Sequence, residues 1–183
     1  MIQLRRITQV NDPDLSRLMD LYELSFPEEE RRNKEQLFRM IELVPDMSFN
    51  AVEENGELCG LSVYWDLGDF YYMEHLAVFP EMRNRKIGQQ ILDYWKKYLP
   101  KLQVLEVEPA VEAMAARRIG FYERNGFQVV CQDYMQPSYR KEEDSCPLWI
   151  MGTDRPSDIQ ACIRKIKMNV YKEPLKYCQG TGS

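Results

Sequence analysis

Histidine occurs once in the 183 residues, at His75, and no two cysteines fall into a C-x-x-C spacing. Structural zinc sites draw their ligands from such groups, so no metal is expected. The five cysteines (Cys59, Cys131, Cys146, Cys162, Cys178) are odd in number and scattered, which reads as reduced thiols. With no Cys/His pairing to activate a thiolate, Cys59 and Cys131 are expected to be buried and unreactive. No apolar run approaches membrane-spanning length and "MIQLRRITQVNDPD" has no signal-peptide core, so a cytoplasmic protein without a membrane partner is expected. Lys and Arg number 24 against 29 Asp and Glu. That deficit argues against a general nucleic-acid surface, which needs cations to neutralise phosphates, and suits a cationic or amine substrate through long-range attraction. The phosphate-loop pattern G-x-x-x-x-G-K-[ST] is absent, as are repeats, low-complexity segments and any linker between two domains.

What is present is enough apolar residue, 44%, to bury one real core. "IQLRRI" alternates as a strand, and "DPDLSRLMDLYEL" predicts a helix with Asp12 as its cap and Pro13 at its first position. A second helix is predicted from about Lys34, with Asn33 as cap and Gln36 reaching back. "MSFNAVEE" and "ELCGLSVYWDL" flank Asn55-Gly56, a strong hairpin signal, and "DFYYMEHLAVF" follows as a third strand. A helix carrying Ile87, Ile91, Leu92 and Trp95 stops at Pro100. "LQVLEVE" is a strand, and "VEAMAARRIGFYER" is a helix closed by Gly126 in the left-handed cap position. Two strands, "FQVVCQDYM" and "CPLWIMGT", surround the polar loop "QPSYRKEEDS"; a last helical run, "SDIQACIRKIKMNVY", has apolar residues at Ile159, Cys162, Ile163, Ile166 and Val170, and the closing "GTGS" reads as unstructured. This order mixes hairpins with crossover helices, which implies a mixed sheet with helices on both faces, an α/β or α+β layer fold.

The stretch "PEMRNRKIGQQIL" raises an electrostatic question. It gathers Arg83, Arg85 and Lys86 at the start of a helix, where unpaired amides already carry partial positive charge. An anion is the missing partner. Together with the preceding strand "EHLAV", this stretch resembles the acyl-CoA loop of the GNAT superfamily of N-acetyltransferases, whose pattern is Arg/Gln-x-x-Gly-x-Gly/Ala. Arg83 takes the first position, Lys86 replaces the first Gly and Gly88 keeps the second. "FYERNGF" is similar to the family's Tyr-Glu-Lys-x-Gly-Phe helix end. The resemblance runs over roughly residues 2–152. It implies a mostly antiparallel sheet splayed at the fourth strand, with 1–152 forming the acyl-CoA N-acyltransferase domain and 153–183 a helical extension of it. It also implies acetyl-CoA as co-substrate. Its pyrophosphate would meet the amides of Arg85, Lys86, Ile87, Gly88 and Gln89 and the side chains of Arg83, Arg85 and Lys86. Its pantetheine arm would pair with the backbone of Leu76, Ala77 and Val78, as an added strand does. A side chain at Lys86 demands ordinary backbone angles, so a slightly altered loop is expected.

Acetylating an amine requires removal of a proton from an ammonium, stabilisation of an oxyanion and protonation of the departing thiolate. By resemblance Tyr122 would supply the last proton; the competing reading is a core tyrosine on one face with Met114, Ala115 and Ile119. Glu74 is the candidate base, because a carboxylate amid "YYMEHLAV" should not be buried idly. Alternation puts it on one face with Tyr72, Leu76 and Val78, leaving His75 on the other. A structural role for Glu74, a base role for His75 and a water chain all remain open. The family's frequent Asn seven residues before the tyrosine is Ala115 here. Glu28, Glu29 and Glu30 could attract a cationic acceptor or form a solvated charge run. Tyr64, Trp65, Tyr134, Tyr139 and Trp149 could shape an aromatic pocket. The reading is therefore an N-acetyltransferase acting on a small-molecule or peptide amine, with a homodimer left open. A non-catalytic acyl-CoA-binding domain and a nucleotide-binding protein are the alternatives.

Overall fold

The computed structural model describes residues 1–140 and 145–178. The closing "GTGS" and part of the loop after "YMQP" lie outside the described residues. Seven strands form one sheet: β1 (Ile2–Arg6), β2 (Met47–Glu54), β3 (Glu57–Asp66), β4 (Phe70–Val78), β5 (Leu102–Val107), β6 (Gln128–Pro137) and β7 (Ser145–Gly152), in the order β1-β2-β3-β4-β5-β7-β6. Every neighbouring pair is antiparallel except β4 and β5. Helices α1 (Leu15–Ser25), α2 (Lys34–Leu43), α3 (Ile87–Tyr98), α4 (Ala113–Arg124) and α5 (Ile159–Lys165) pack against it. None of the described helices is long and apolar enough to cross a membrane.

Local chemistry explains most of the boundaries. Asn33 accepts the Gln36 amide at 2.7 Å and so caps α2. The Gln36 side chain does not reach back; its Nε2 donates instead to the Pro174 carbonyl at 3.0 Å. Asn55 and Gly56 both take positive φ, as the tight β2–β3 turn needs. Asp12 does not cap α1 as predicted, and the helix starts at Leu15. One Asp12 oxygen accepts the Asp14 amide at 3.0 Å while the other pairs with Arg5 at 2.7 Å, closing a turn ahead of the helix. In α4, Ala115 and Ile119 are buried, but Met114 is exposed rather than part of that face. Cys59 is buried and Cys131 only half-buried.

Two irregularities position the site. Opposite Val63 and Tyr64, whose partners are His75 and Met73, residue Glu74 is unpaired and forms a bulge. A bulge interrupts alternation, so Glu74 and His75 do not point to opposite faces as the sequence pattern implied. Both reach the same hydroxyl, that of Tyr139. The second irregularity follows α5. The chain continues as a π-helical turn (Ile166–Lys172) and a short 3-10 segment (Glu173–Tyr177), which bury Val170, Tyr171 and Pro174.

Candidate functional site

Pairing between β4 and β5 ends early. It joins Phe70, Tyr71 and Tyr72 to Leu102, Gln103 and Val104, after which β5 pairs only with β7. Leu76, Ala77 and Val78 keep β3 on one side and have no strand on the other. The divergence opens a cleft of about 890 Å³, lined by these three residues and by Arg83, Glu106 and Tyr122, among others. An extended chain-like ligand could complete the β4 edge there.

At one end of this cleft lies the loop before α3. Residues Pro80–Arg85 form a 3-10 turn, Lys86 adopts φ 56° and ψ 28°, and α3 begins at Ile87 with no side chain capping it. The left-handed Lys86 corrects the expectation of ordinary angles at this position. The backbone keeps the conformation a glycine would adopt, and the lysine bears the strain, about 1–2 kcal/mol. Gln90 is the first amide of α3 to find a helical carbonyl, that of Lys86 at 3.1 Å, so the amides of Ile87, Gly88 and Gln89 have no backbone partner among the described residues. Gly88 leaves room, since a Cβ there would meet only Phe121, at 3.8 Å. The Arg85 side chain is spoken for: it pairs with Glu54 and Glu57, both at 2.7 Å, which turns it toward the β2–β3 hairpin rather than toward an anion at the helix start. The Gln89 side chain donates to Asp93 one turn on in the same helix and to Asn125 at the end of α4.

Deeper in, Glu74 is enclosed. Its Oε2 takes Arg32 Nη1 at 2.5 Å and the Tyr139 hydroxyl at 2.9 Å, and Oε1 takes Trp65 Nε1 at 2.8 Å. Both side chains of the ion pair are essentially inaccessible, at 1% for Arg32 and 0% for Glu74. Burial disfavours the charge, but Arg32, His75 and the bond from Trp65 outweigh it and hold this carboxyl below its ordinary range. A carboxylate so stabilised is a poor proton acceptor. The base role expected for Glu74 therefore sits badly with its surroundings, whereas the structural alternative accounts for all three bonds. His75 fares no better as a base: burial pushes its imidazole down to about 4, Glu74 drawing it up and Arg32 down.

A second carboxylate, the half-buried Glu106 on β5, was missed by the sequence reading. The signal was there, since "LQVLEVE" sets an acid in an apolar strand just as "YYMEHLAV" does. Glu106 Oε1 accepts the Tyr134 hydroxyl at 2.6 Å; Oε2 accepts Tyr171 and Gln136 Nε2, each at 2.7 Å. No cation pairs with it among the described residues. Burial raises its carboxyl above the ordinary range, and the hydrogen bonds from Tyr134, Tyr171 and Gln136 offset that only in part. Both carboxylates line the cleft and each has one oxygen with a single donor, so what sets Glu106 apart is its raised basicity and the absence of a cationic partner among the described residues.

Tyr122 lines the same cleft. Its ring lies 5.5 Å from both Phe121 and Phe127, and its hydroxyl makes no hydrogen bond among the described residues. Burial, opposed by Arg118, raises its pKa, so the phenol stays protonated at neutral pH. Of the three glutamates before α2, only Glu30 reaches the cleft, opposite Glu108; burial and then the Glu108 and Glu29 charges raise its carboxyl. Glu28 instead meets Arg140 at 3.2 Å. Among the aromatics, Trp65, Tyr134 and Tyr139 join the buried networks, while Tyr64 packs against Tyr71, with ring centroids 5.9 Å apart.

Comparison with known proteins bears on the family and the fold. The family model described as Acetyltransferase (GNAT) family matches residues 15–127. A solved structure from Bacteroides thetaiotaomicron, assigned to the GNAT family as an acetyltransferase, is 33% identical with a TM-score of 0.88, covering 92% of this chain and 98% of its own. The Escherichia coli ribosomal-protein-S18-alanine N-acetyltransferase is 18% identical with a TM-score of 0.54, over 83% of this chain and 92% of its own. A GNAT family acetyltransferase from Elizabethkingia anophelis with acetyl-CoA bound is 14% identical with a TM-score of 0.53, over 83% and 95%. The last two show likeness of fold alone. No protein with a curated description matches the chain.

Proposed function

The chain belongs to the GNAT family of acetyltransferases, and from that premise we propose that it moves the acetyl group of acetyl-CoA to a primary amine by direct attack within a ternary complex. The observation that carries this reading is the cleft itself. An uncapped helix start and an unpaired strand edge lie at its cofactor end, and a basic carboxylate and an unpartnered phenol line its wall. The amides of Ile87, Gly88 and Gln89, those of Arg85 and Lys86, and the side chains of Arg83 and Lys86 would hold the pyrophosphate. The backbone of Leu76, Ala77 and Val78 would align the pantetheine arm and donate to the oxyanion of the tetrahedral intermediate.

Glu106 takes the base role in this proposal, in place of Glu74. It accepts a proton from the incoming ammonium, directly or through water, and the freed amine attacks the thioester carbonyl. Tyr122 gives its proton to the departing thiolate. Glu30 and Glu108 place negative charge at the cleft, which favours an amine-bearing small molecule or peptide as acceptor. The test pairs a thermal-shift series using acetyl-CoA, CoA and ATP with an amine-library screen for CoA release. Stabilisation by the two CoA ligands and not by ATP, and release that Glu106→Gln abolishes, are the expected results. CoA-free behaviour throughout, or full turnover in Glu106→Gln, would defeat the reading.

A further inference from the structure

Tyr171 lies well beyond residue 127, where the family match ends, yet its hydroxyl sits at the centre of the Glu106 network. It donates to Glu106 Oε2 at 2.7 Å, accepts from Gln136 Nε2 at 3.0 Å and lies 3.2 Å from the Tyr72 hydroxyl. A phenol has one proton to give. With that proton on Glu106, Tyr171 has none left to give Tyr72, whose own hydroxyl can donate either to Tyr171 or to Glu106. Gln136 Nε2 donates to the Tyr171 oxygen, which polarises its O–H and strengthens the bond it gives to the carboxylate. The backbone is irregular at this point. The residues from 166 to 172 form a π-helical turn in which Tyr171 is 2% exposed, its ring 5.0 Å from that of Tyr139. The same turn gives its Val170 carbonyl to Arg32 at 2.6 Å, which fixes its position against the sheet.

We propose that Tyr171, carried on the C-terminal π-helical turn, is a positioning residue that holds Glu106 Oε2 away from the reacting amine, leaves Oε1 to take the proton, and sets the pH at which Glu106 becomes an active base. The proposal rests on the reading of Glu106 as base. It makes the C-terminal segment part of the catalytic apparatus rather than an appended helix. The groups around Glu106 are Tyr72 from β4, Tyr134 and Gln136 from β6, Tyr139 from the connection after β6, Cys146 from β7 and Tyr171 itself. None is cationic, so the hydroxyl and amide donors are what support the ionised form. Removing one of them should make the carboxylate easier to protonate.

The experiment is a ¹³C-carboxyl NMR titration of the full chain labelled at glutamate, with the Glu106 resonance identified by its loss in Glu106→Gln. Tyr171→Phe keeps the ring and deletes the hydroxyl. It is expected to move the Glu106 midpoint up by about one pH unit, the size of one hydrogen bond to a charged or neutral partner. With an acceptor from the amine screen, the acidic limb of the kcat/KM profile should move by the same amount while the acetyl-CoA Kd holds. If Tyr171→Phe does not fold, Tyr72→Phe removes a donor to the same hydroxyl or to Glu106 itself and must shift the midpoint in the same direction. An unmoved midpoint in whichever variant folds overturns the proposal. Full turnover in Glu106→Gln would instead defeat the base reading, a separate failure because the carboxyl titration needs no acceptor.

Discussion

Changing Glu74 to Gln keeps the shape of the buried side chain and removes only its charge. Arg32 then remains 1% exposed with its 2.5 Å partner neutralised, and its Nε already has no hydrogen bond among the described residues. Breaking a buried ion pair from one side costs about 3–5 kcal/mol, because the surviving charge stays desolvated. For a chain of this size each kcal/mol lowers Tm by about 2–4 °C, so a fall of about 6–20 °C is expected at pH 7. The effect also has a pH signature. Glu74 is held below its ordinary value of 4.5 in the folded chain, so its contribution is fully present above that pH and is lost as pH falls through the folded value. The gap between wild type and Glu74→Gln should therefore narrow in acid. Calorimetric melting from pH 7 down to about pH 3 reads both quantities, and an Arg32→Met, Glu74→Gln double variant should recover much of the loss. A Tm change under about 2 °C, or a gap that ignores pH, would refute the claim that this pair is buried and ionised. Retention of the acidic limb of kcat/KM in Glu74→Gln, measured below its melting point, is the matching catalytic result.

Tyr122→Phe should lower kcat by about 10²–10⁴-fold with little change in acetyl-CoA Kd, because only the donated proton is lost; stopped assays with isothermal titration separate the two, and normal turnover would return Tyr122 to the core. Lys86→Gly should raise Tm, since relieving a left-handed lysine gains about 1–2 kcal/mol against roughly 0.5–1 kcal/mol of added chain entropy in the unfolded state; a lower Tm would mean that the lysine side chain stabilises the fold by more than its backbone strain costs. The His75 imidazole, ordinarily near 6.5, is pushed down to about 4, so the unfolded chain binds more protons between those values and stability rises with pH across that window by about 3 kcal/mol. Urea unfolding of His75→Asn should lack that slope even if the variant is weaker at pH 7; an identical slope would count against a neutral His75.

Features set by neighbouring residues were legible in the sequence. The Asn33 cap, the Asn55-Gly56 turn and the positive φ of Gly126 each need only a few contiguous positions. The uncapped start of α3 was legible for the same reason, because its charge conflict is local. The buried networks were not. Glu74 draws its partners from positions 32, 65 and 139, and Glu106 from 134, 136 and 171, and no pattern along the chain brings those numbers together. Alternation also failed at Glu74, since a bulge adds a residue without any compositional sign, and that single step misplaced His75. Asp12 shows the limit of a local signal. It is a good cap in isolation, but Arg5 claims its carboxylate from β1.

The early end of the β4–β5 ladder has a consequence for the chain before any ligand arrives. Most proteins keep unpaired strand edges at the rim of a sheet and blunt them there. Here the unpaired edge of Leu76, Ala77 and Val78 lies in the interior of a seven-stranded sheet, flanked on both sides by completed strands. Such a slot is a mould for an extended backbone, recessed between β4 and β5 rather than offered at the rim. A loose chain end, or a nascent segment of the same protein, has the shape to fill it. The stage most exposed to mispairing is therefore synthesis and refolding rather than the mature state, and a thin, strand-like small molecule present at that stage would act as a chaperone for the sheet it completes.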